Sequence, residues 1–207
     1  MKVPLMVAGL KKVEKGDLSL EEKIELVSAD IDTSWGELSK KGVGEQVSVK
    51  ELLESMIEES DNTAYRTLSR TVGQEAFDEA LLALGLPINK DSTISPKDYG
   101  NILRSLYISS YLRRPMSELA LNMMLRTKYN TQIPAGIPTG IPIAHKVGFN
   151  FEIGEFHDCG IVYVPQKPYI ICLMSRESSN IEADRVISSV SKIVYDYVSL
   201  KNNTLIN

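Results

Sequence analysis

Among 207 residues there are only two cysteines, two histidines and one tryptophan. Two cysteines are too few for a small scaffold built from disulfides. His145 and His157 stand at no acid-rich spacing of the kind that ligates a metal, so neither a metal nor a cofactor is expected. No apolar run reaches the roughly 18–20 residues that span a bilayer as a helix. Basic residues form no cluster with interleaved aromatics, and the net charge is −4, which argues against a nucleic-acid partner. There is no tandem repeat and no low-complexity segment. The remaining composition, 43% hydrophobic and 24% charged, is that of an ordinary globular chain. Its length suits one domain or two closely packed subdomains with a sizeable core.

The first residues, Met1 to Leu10, imitate a signal peptide, with Lys2 as its basic region. The apolar part is too short, and Lys11-Lys12 follows where a small-residue cleavage site should be. The segment reads instead as an amphipathic helix with Leu5, Met6, Leu10 and Val13 on one face and Gly16 as its stop. Residues 25–31 read as a short extended segment, and 32–47 as a Gly- and Ser-containing loop holding Trp35. Helices follow at 48–59, 63–72 and 74–84, broken at Gly73 and Gly85, then at about 96–111 and 117–126. Ser48 with Glu51 three residues later is a capping box.

The C-terminal part changes character, with strands at 141–149, 159–164 and 169–175. Pro165 and Pro168 flank the last turn, placed at Gln166-Lys167. On that turn Cys159 and Cys172 share a face but sit diagonally, too far apart for a disulfide, so two buried thiols are expected. Residues 169–174 are apolar without alternation, the pattern of a strand covered on both faces inside a sheet. Asn180 caps a long last helix whose Val186, Ile187, Val190, Ile193, Val194, Tyr197 and Val198 form an apolar stripe. The fold class is α+β: a helical part and an antiparallel sheet packed by helices.

Between the helices at 48–59 and 63–72 stands Ser60-Asp61-Asn62. Taken alone, this tripeptide is a helix cap. Two other pieces change its weight: Lys2-Val3-Pro4-Leu5-Met6 upstream and His145-Lys146-Val147-Gly148 downstream. Lysine, then S-D-N, then K-x-G is the order of the acyl-serine signature of class A β-lactamases and penicillin-binding proteins. The chain resembles the class A β-lactamase-like serine hydrolases. The likeness extends to 49–64, to Ser95-Pro96-Lys97-Asp98, to the run 134–148 and to 158–163, and so covers nearly the whole chain.

The resemblance implies a β-lactamase-like fold with a sheet subdomain from 1–31 and 132–207 and a helical subdomain from 32–131. Two N-terminal strands of that fold are missing from the sequence. It also implies roles. Lys2 is the catalytic base, its positive neighbour Lys146 helping to lower its pKa. Ser60 relays a proton to the leaving nitrogen. Asn62 holds the substrate amide and orients Lys2. The Phe149 N–H is half of the oxyanion hole, and Gly148 lets substrate approach the strand. Val147 stands where a hydroxyl residue is usual, so one donor to a substrate carboxylate is lost. Trp35 reads either as a wall of the site or as a loop anchor, and Lys2 taken alone is an ordinary terminal lysine.

Two departures matter. The signature S-x-x-K needs a serine three positions before Lys2, where this sequence has no residue, so the chain reads as an N-terminally truncated member. The loop at 86–93 holds Asp91 as its only acid, where efficient class A enzymes carry a deacylating glutamate; Asp91 reads as a turn residue. Three functions remain open: a β-lactam-recognising acyl-serine hydrolase, a peptidase acting on D-Ala-D-Ala ends of peptidoglycan peptides, and a non-catalytic binding protein that keeps the groove. The expected partner is a small-molecule or peptidoglycan-peptide substrate, with self-association through the uncovered strand edge. An extracytoplasmic location follows from the resemblance alone.

Overall fold

The computed structural model describes residues 1–86 and 93–200. Asp91 lies outside the described residues. Packing divides the chain into one unit up to Arg126 and a second from Thr127 onward. The division expected from the resemblance, 1–31 with 132–207 against 32–131, groups the segments differently.

The first unit is built around α1 (Lys2–Lys15), which buries Val3 to Leu10 without interruption. Gly16 ends it at φ 82°, a conformation glycine adopts without strain, and returns its N–H to the Val13 carbonyl. α1 packs against α2 (Val49–Glu58), α3 (Asn62–Val72), α4 (Gln74–Ala83) and α6 (Arg114–Leu125). Met6, Leu10, Leu52, Leu53, Met56 and Leu68 are completely enclosed. The Ser48 cap read from sequence is in place, with Glu51 N donating to Ser48 Oγ at 3.2 Å; Ser95 caps α5 (Pro96–Tyr107) in the same way, accepting from Asp98 N at 3.1 Å. α6 begins at Arg114, three residues earlier than expected, because Pro115 suits the first turn of a helix. The strand lies earlier than the expected 25–31 and shares only Glu25 with it. β1 (Lys23–Glu25) pairs with β2 (Gln46–Ser48), and a 3₁₀ turn at Ser28–Asp30 follows, where the Asp30 carboxylate holds Arg70 at 2.6 Å.

The second unit is an antiparallel sheet in the order β3 (Ile143–Asn150), β4 (Glu155–Val162), β5 (Tyr169–Arg176), backed by α7 (Asn180–Leu200). Alternation puts Phe156, Val162 and Ile171 on one face, where they meet Ile133, Ile137, Ala183 and Ile187. A 3₁₀ turn at Ile133–Gly136 lies flush on α7, and the Ser191 hydroxyl donates to the Ile133 carbonyl at 2.9 Å. Gly136 has no room for a Cβ against the backbone of Ser188 and Lys192.

Two expectations are corrected by the β4–β5 register. The turn is centred on Pro165-Gln166, one residue earlier than expected. Lys167 N bonds the Val164 carbonyl at 3.0 Å, proline takes the position that wants φ near −65°, and Gln166 takes φ 65°. A turn displaced by one residue changes the pairing by two. Cys159 is therefore directly opposite Cys172, and the two form a disulfide instead of two buried thiols. Among the described residues β5 pairs with β4 alone, so the apolar run 169–174 lies at a sheet edge with only Ile171 fully buried. No helix among the described residues is long and apolar enough to cross a membrane.

Candidate active site

The first unit gathers three of the expected residues. Lys2 opens α1, and its Nζ donates to the Ser60 carbonyl, to Ser60 Oγ at 3.1 Å and to Asn62 Oδ1 at 2.8 Å. It also stands 6.0 Å from the centre of the Tyr65 ring. Burial lowers the Lys2 pKa to about 8, against the opposing pull of Asp61 and Asp32. A lysine so placed loses its proton within reach of neutral pH, which an exposed lysine does not.

Ser60 takes φ 60°, a left-handed conformation that costs a non-glycine residue roughly 1 kcal/mol or more. The backbone on its far side is tied down: Asp61 N bonds the Ser55 carbonyl at 3.1 Å and Asn62 N the Trp35 carbonyl at 3.0 Å. Together they turn the Ser60 carbonyl and hydroxyl toward Lys2.

Asp61, fully buried, was read from sequence only as a cap. It does cap α3, with Ala64 N donating to Oδ1 at 2.8 Å, but its second oxygen accepts Leu38 N at 2.8 Å. The carboxylate therefore clamps the loop carrying Trp35 onto the S-D-N turn. Gly36, at φ 92°, passes so close to Asp61 that no Cβ fits. The Asn62 amide donates to Ser34 Oγ at 3.0 Å, and Asp32, which holds Arg66 at 2.6 Å, accepts Ser34 N at 2.9 Å. The Ser34 hydroxyl bond holds the Asp32 carboxyl below the usual carboxylate range. Nothing in the tripeptide signals the Asp61–Leu38 contact, because its partner lies 23 residues upstream.

The second unit carries the other four on β3. Lys146 is 4% exposed, donates to the Val147 carbonyl at 2.8 Å and lies 5.8 Å from the Tyr129 ring centre. Val147 is buried. Gly148 faces His157, and an added Cβ would meet that ring at 3.6 Å, an ordinary contact, so packing alone does not demand glycine at this position. Phe149 packs on Tyr129, Phe151 and Phe156 with ring centres 5.7–6.1 Å apart.

A buried pair beside Lys146 escaped the sequence reading. His145 Nδ1 and Asp158 Oδ1 are 2.9 Å apart, and Asp158 Oδ2 accepts Ile133 N at 2.9 Å. Thr127 Oγ1 donates to the His145 carbonyl at 2.9 Å. Gly160 lies opposite His145 and has no room for a Cβ against that residue. The pair anchors β3 from the face opposite Lys146.

The model of the β-lactamase enzyme family matches residues 1–198. The chain belongs to this family. β-Lactamase 3 of Bacillus cereus is 25% identical over 206 residues, covering 89% of this chain and 64% of that enzyme. The chain thus spans a little under two thirds of that relative's length. β-Lactamase VEB-1 of Pseudomonas aeruginosa is 23% identical, covering 95% of this chain and 76% of that one. Among solved structures, PBP-A superposes with a TM-score of 0.87 at 27% identity over 96% of this chain and 79% of that one. A PBP-A variant determined as an acyl-enzyme complex with penicillin G superposes with 0.88 at 28% identity, over the same shares. The α+β fold of this β-lactamase family member is that of the class A enzymes, as an ancestral class A β-lactamase with TM-score 0.86 also shows.

Proposed function

We propose that this β-lactamase family chain carries the recognition and proton-transfer groups of an acyl-serine hydrolase acting on β-lactams or on D-Ala-D-Ala-type amides. The observation that carries the reading is the Lys2–Ser60–Asn62 cluster with its lysine pKa lowered to about 8. In the reaction, neutral Lys2 takes the proton of a serine hydroxyl as its oxygen attacks the amide carbonyl. The Phe149 N–H stabilises the oxyanion that forms. The C–N bond then breaks, and Ser60 hands a proton to the leaving nitrogen, leaving an acyl ester on the serine. Lys146 holds the substrate carboxylate, Asn62 the substrate amide, and the bare Gly148 leaves the strand open to it.

The attacking serine is required three positions before Lys2, and Met1 is the only residue before Lys2 in this sequence. The test therefore uses two proteins, the 207-residue chain and the same chain extended by Ser-Xaa ahead of Met1. Intact-mass analysis after fluorescent penicillin should show one adduct on the added serine and none on the 207-residue chain. An adduct on Ser60 in either protein would overturn the division of roles between Ser60 and the added serine. If neither is labelled but both bind penicillin, the non-catalytic reading stands.

One observation favours the peptidase reading. Asp91 is the only acid in the loop 86–93, so no glutamate stands there to free an acyl-enzyme. General-base assistance is worth roughly 10²–10⁴-fold, and the label is expected to outlast many potential turnovers. The Cys159–Cys172 disulfide supports an extracytoplasmic location, because such bonds persist in oxidising compartments.

A further inference from the structure

The Asn62 amide stands between two partners. Its Oδ1 accepts from Lys2 Nζ at 2.8 Å, and its Nδ2 donates to Ser34 Oγ at 3.0 Å. A carboxamide turned end for end keeps its shape but exchanges acceptor for donor. Charged Lys2 holds the amide oxygen inward by itself. As an ammonium, Nζ carries three protons and meets the Ser60 carbonyl, Ser60 Oγ and Asn62 Oδ1. Neutral Lys2 has no such hold, because one proton is replaced by a lone pair. A turned Asn62 would donate to that lone pair and occupy the electrons a base needs.

The outer end of the amide is held by a chain of fixed polarity. The Asp32 carboxylate accepts the Ser34 hydroxyl proton, Ser34 N at 2.9 Å and an N–H of Arg66 at 2.6 Å. The Ser34 hydroxyl bond holds this carboxyl below the usual range, so near neutral pH it only accepts. A hydroxyl has one proton. With that proton given to Asp32, Ser34 Oγ presents only lone pairs to Asn62 and needs a donor there. A turned amide would set Oδ1 against Ser34 Oγ, acceptor against acceptor. The root of the chain is firm. Thr63, fully buried, accepts Asp32 N at 2.9 Å and donates to the Asp32 carbonyl at 3.1 Å.

We propose that Ser34 and Asp32 are positioning residues that lock the Asn62 amide with its oxygen toward Lys2, and so keep the lone pair of neutral Lys2 for hydroxyl groups. The use made of that lone pair rests on the hydrolase reading above; the lock itself does not. Neither residue touches the reacting atoms. Both act through Asn62, and the direction of every bond follows from the one group that cannot donate, the Asp32 carboxylate.

The lock is read from the titration of Lys2 in the 207-residue chain, followed by the carbon-13 shift of its Cε. Ser34→Thr keeps the hydroxyl, and Ser34→Val has the same shape without it. Neither changes a charge, so the pull of Asp61 and Asp32 on Lys2 stays as it is. Ser34→Val should lower the midpoint from about 8 by roughly one pH unit, because a freed amide donates to the neutral amine and favours that form. Ser34→Thr should keep the natural midpoint. A loop merely loosened by the substitution would let water reach Lys2 and raise the midpoint toward 10.5. A midpoint that is unmoved or raised in Ser34→Val, or a fall shared by Ser34→Thr, overturns the proposal. In the chain extended by Ser-Xaa, Ser34→Val should also lower the high-pH plateau of penicillin acylation roughly tenfold. A lowered midpoint with an unchanged plateau overturns the claim that the lock guards the lone pair. If the extended chain is not acylated at all, the hydrolase reading fails, and the Lys2 titration still decides the lock.

Discussion

Lys2 and Asp61 show how single side chains set the chemistry of the first unit. Lys2 acts as a base only without its proton, and burial brings that loss down to about pH 8. Below this value most of the lysine is cationic and idle. Acylation of the Ser-Xaa-extended chain should therefore rise about tenfold per pH unit through the acid range and level off above about 8. Stopped-flow measurement of penicillin acylation between pH 5 and 10 checks this; a rate that falls with rising pH would assign the base elsewhere. Asp61 works at a distance from any reaction. Its carboxylate satisfies Ala64 N and Leu38 N inside a closed interior. Asp61→Ala leaves both donors buried and unpaired and should cost about 2–4 kcal/mol in urea unfolding. A loss below about 0.5 kcal/mol would mean that water reaches the clamp.

Elements divide by how local their causes are. α1, α2, α3 and α5 are legible in the sequence, because helical spacing and the residues Gly16, Ser48, Asp61 and Ser95 specify their bodies and ends within a few positions. The β4–β5 hairpin is not, since its register depends on which of four turn residues takes a positive φ. Gln166 does, and that choice turned an expected diagonal cysteine pair into a direct one. The cross-link closes a short loop, with a sequence separation of 13, and a loop of that size is worth about 3 kcal/mol in the chain-entropy account. Dithiothreitol, or Cys172→Ser, should lower stability by about 2–3 kcal/mol, read from denaturant midpoints. Two alkylatable thiols in protein purified without reductant would remove the premise.

For the whole molecule, composition and pattern determined the α+β class, the order of helices and strands, and the motif order by which the chain resembles one family. These depend on periodicity and short spacing, which the linear chain carries in itself. Tertiary structure decided what depends on residues far apart in sequence. It showed Lys2 to be enclosed enough to lose its proton near pH 8, Asp61 to reach Leu38, and His145 to find Asp158 behind β3. Among the described residues it pairs the apolar run 169–174 with β4 alone. Apolar content shows that a strand wants two covered faces, but only the assembled sheet shows which neighbours it has. Enclosure, register and strand pairing arise from packing among distant segments, which no local pattern records.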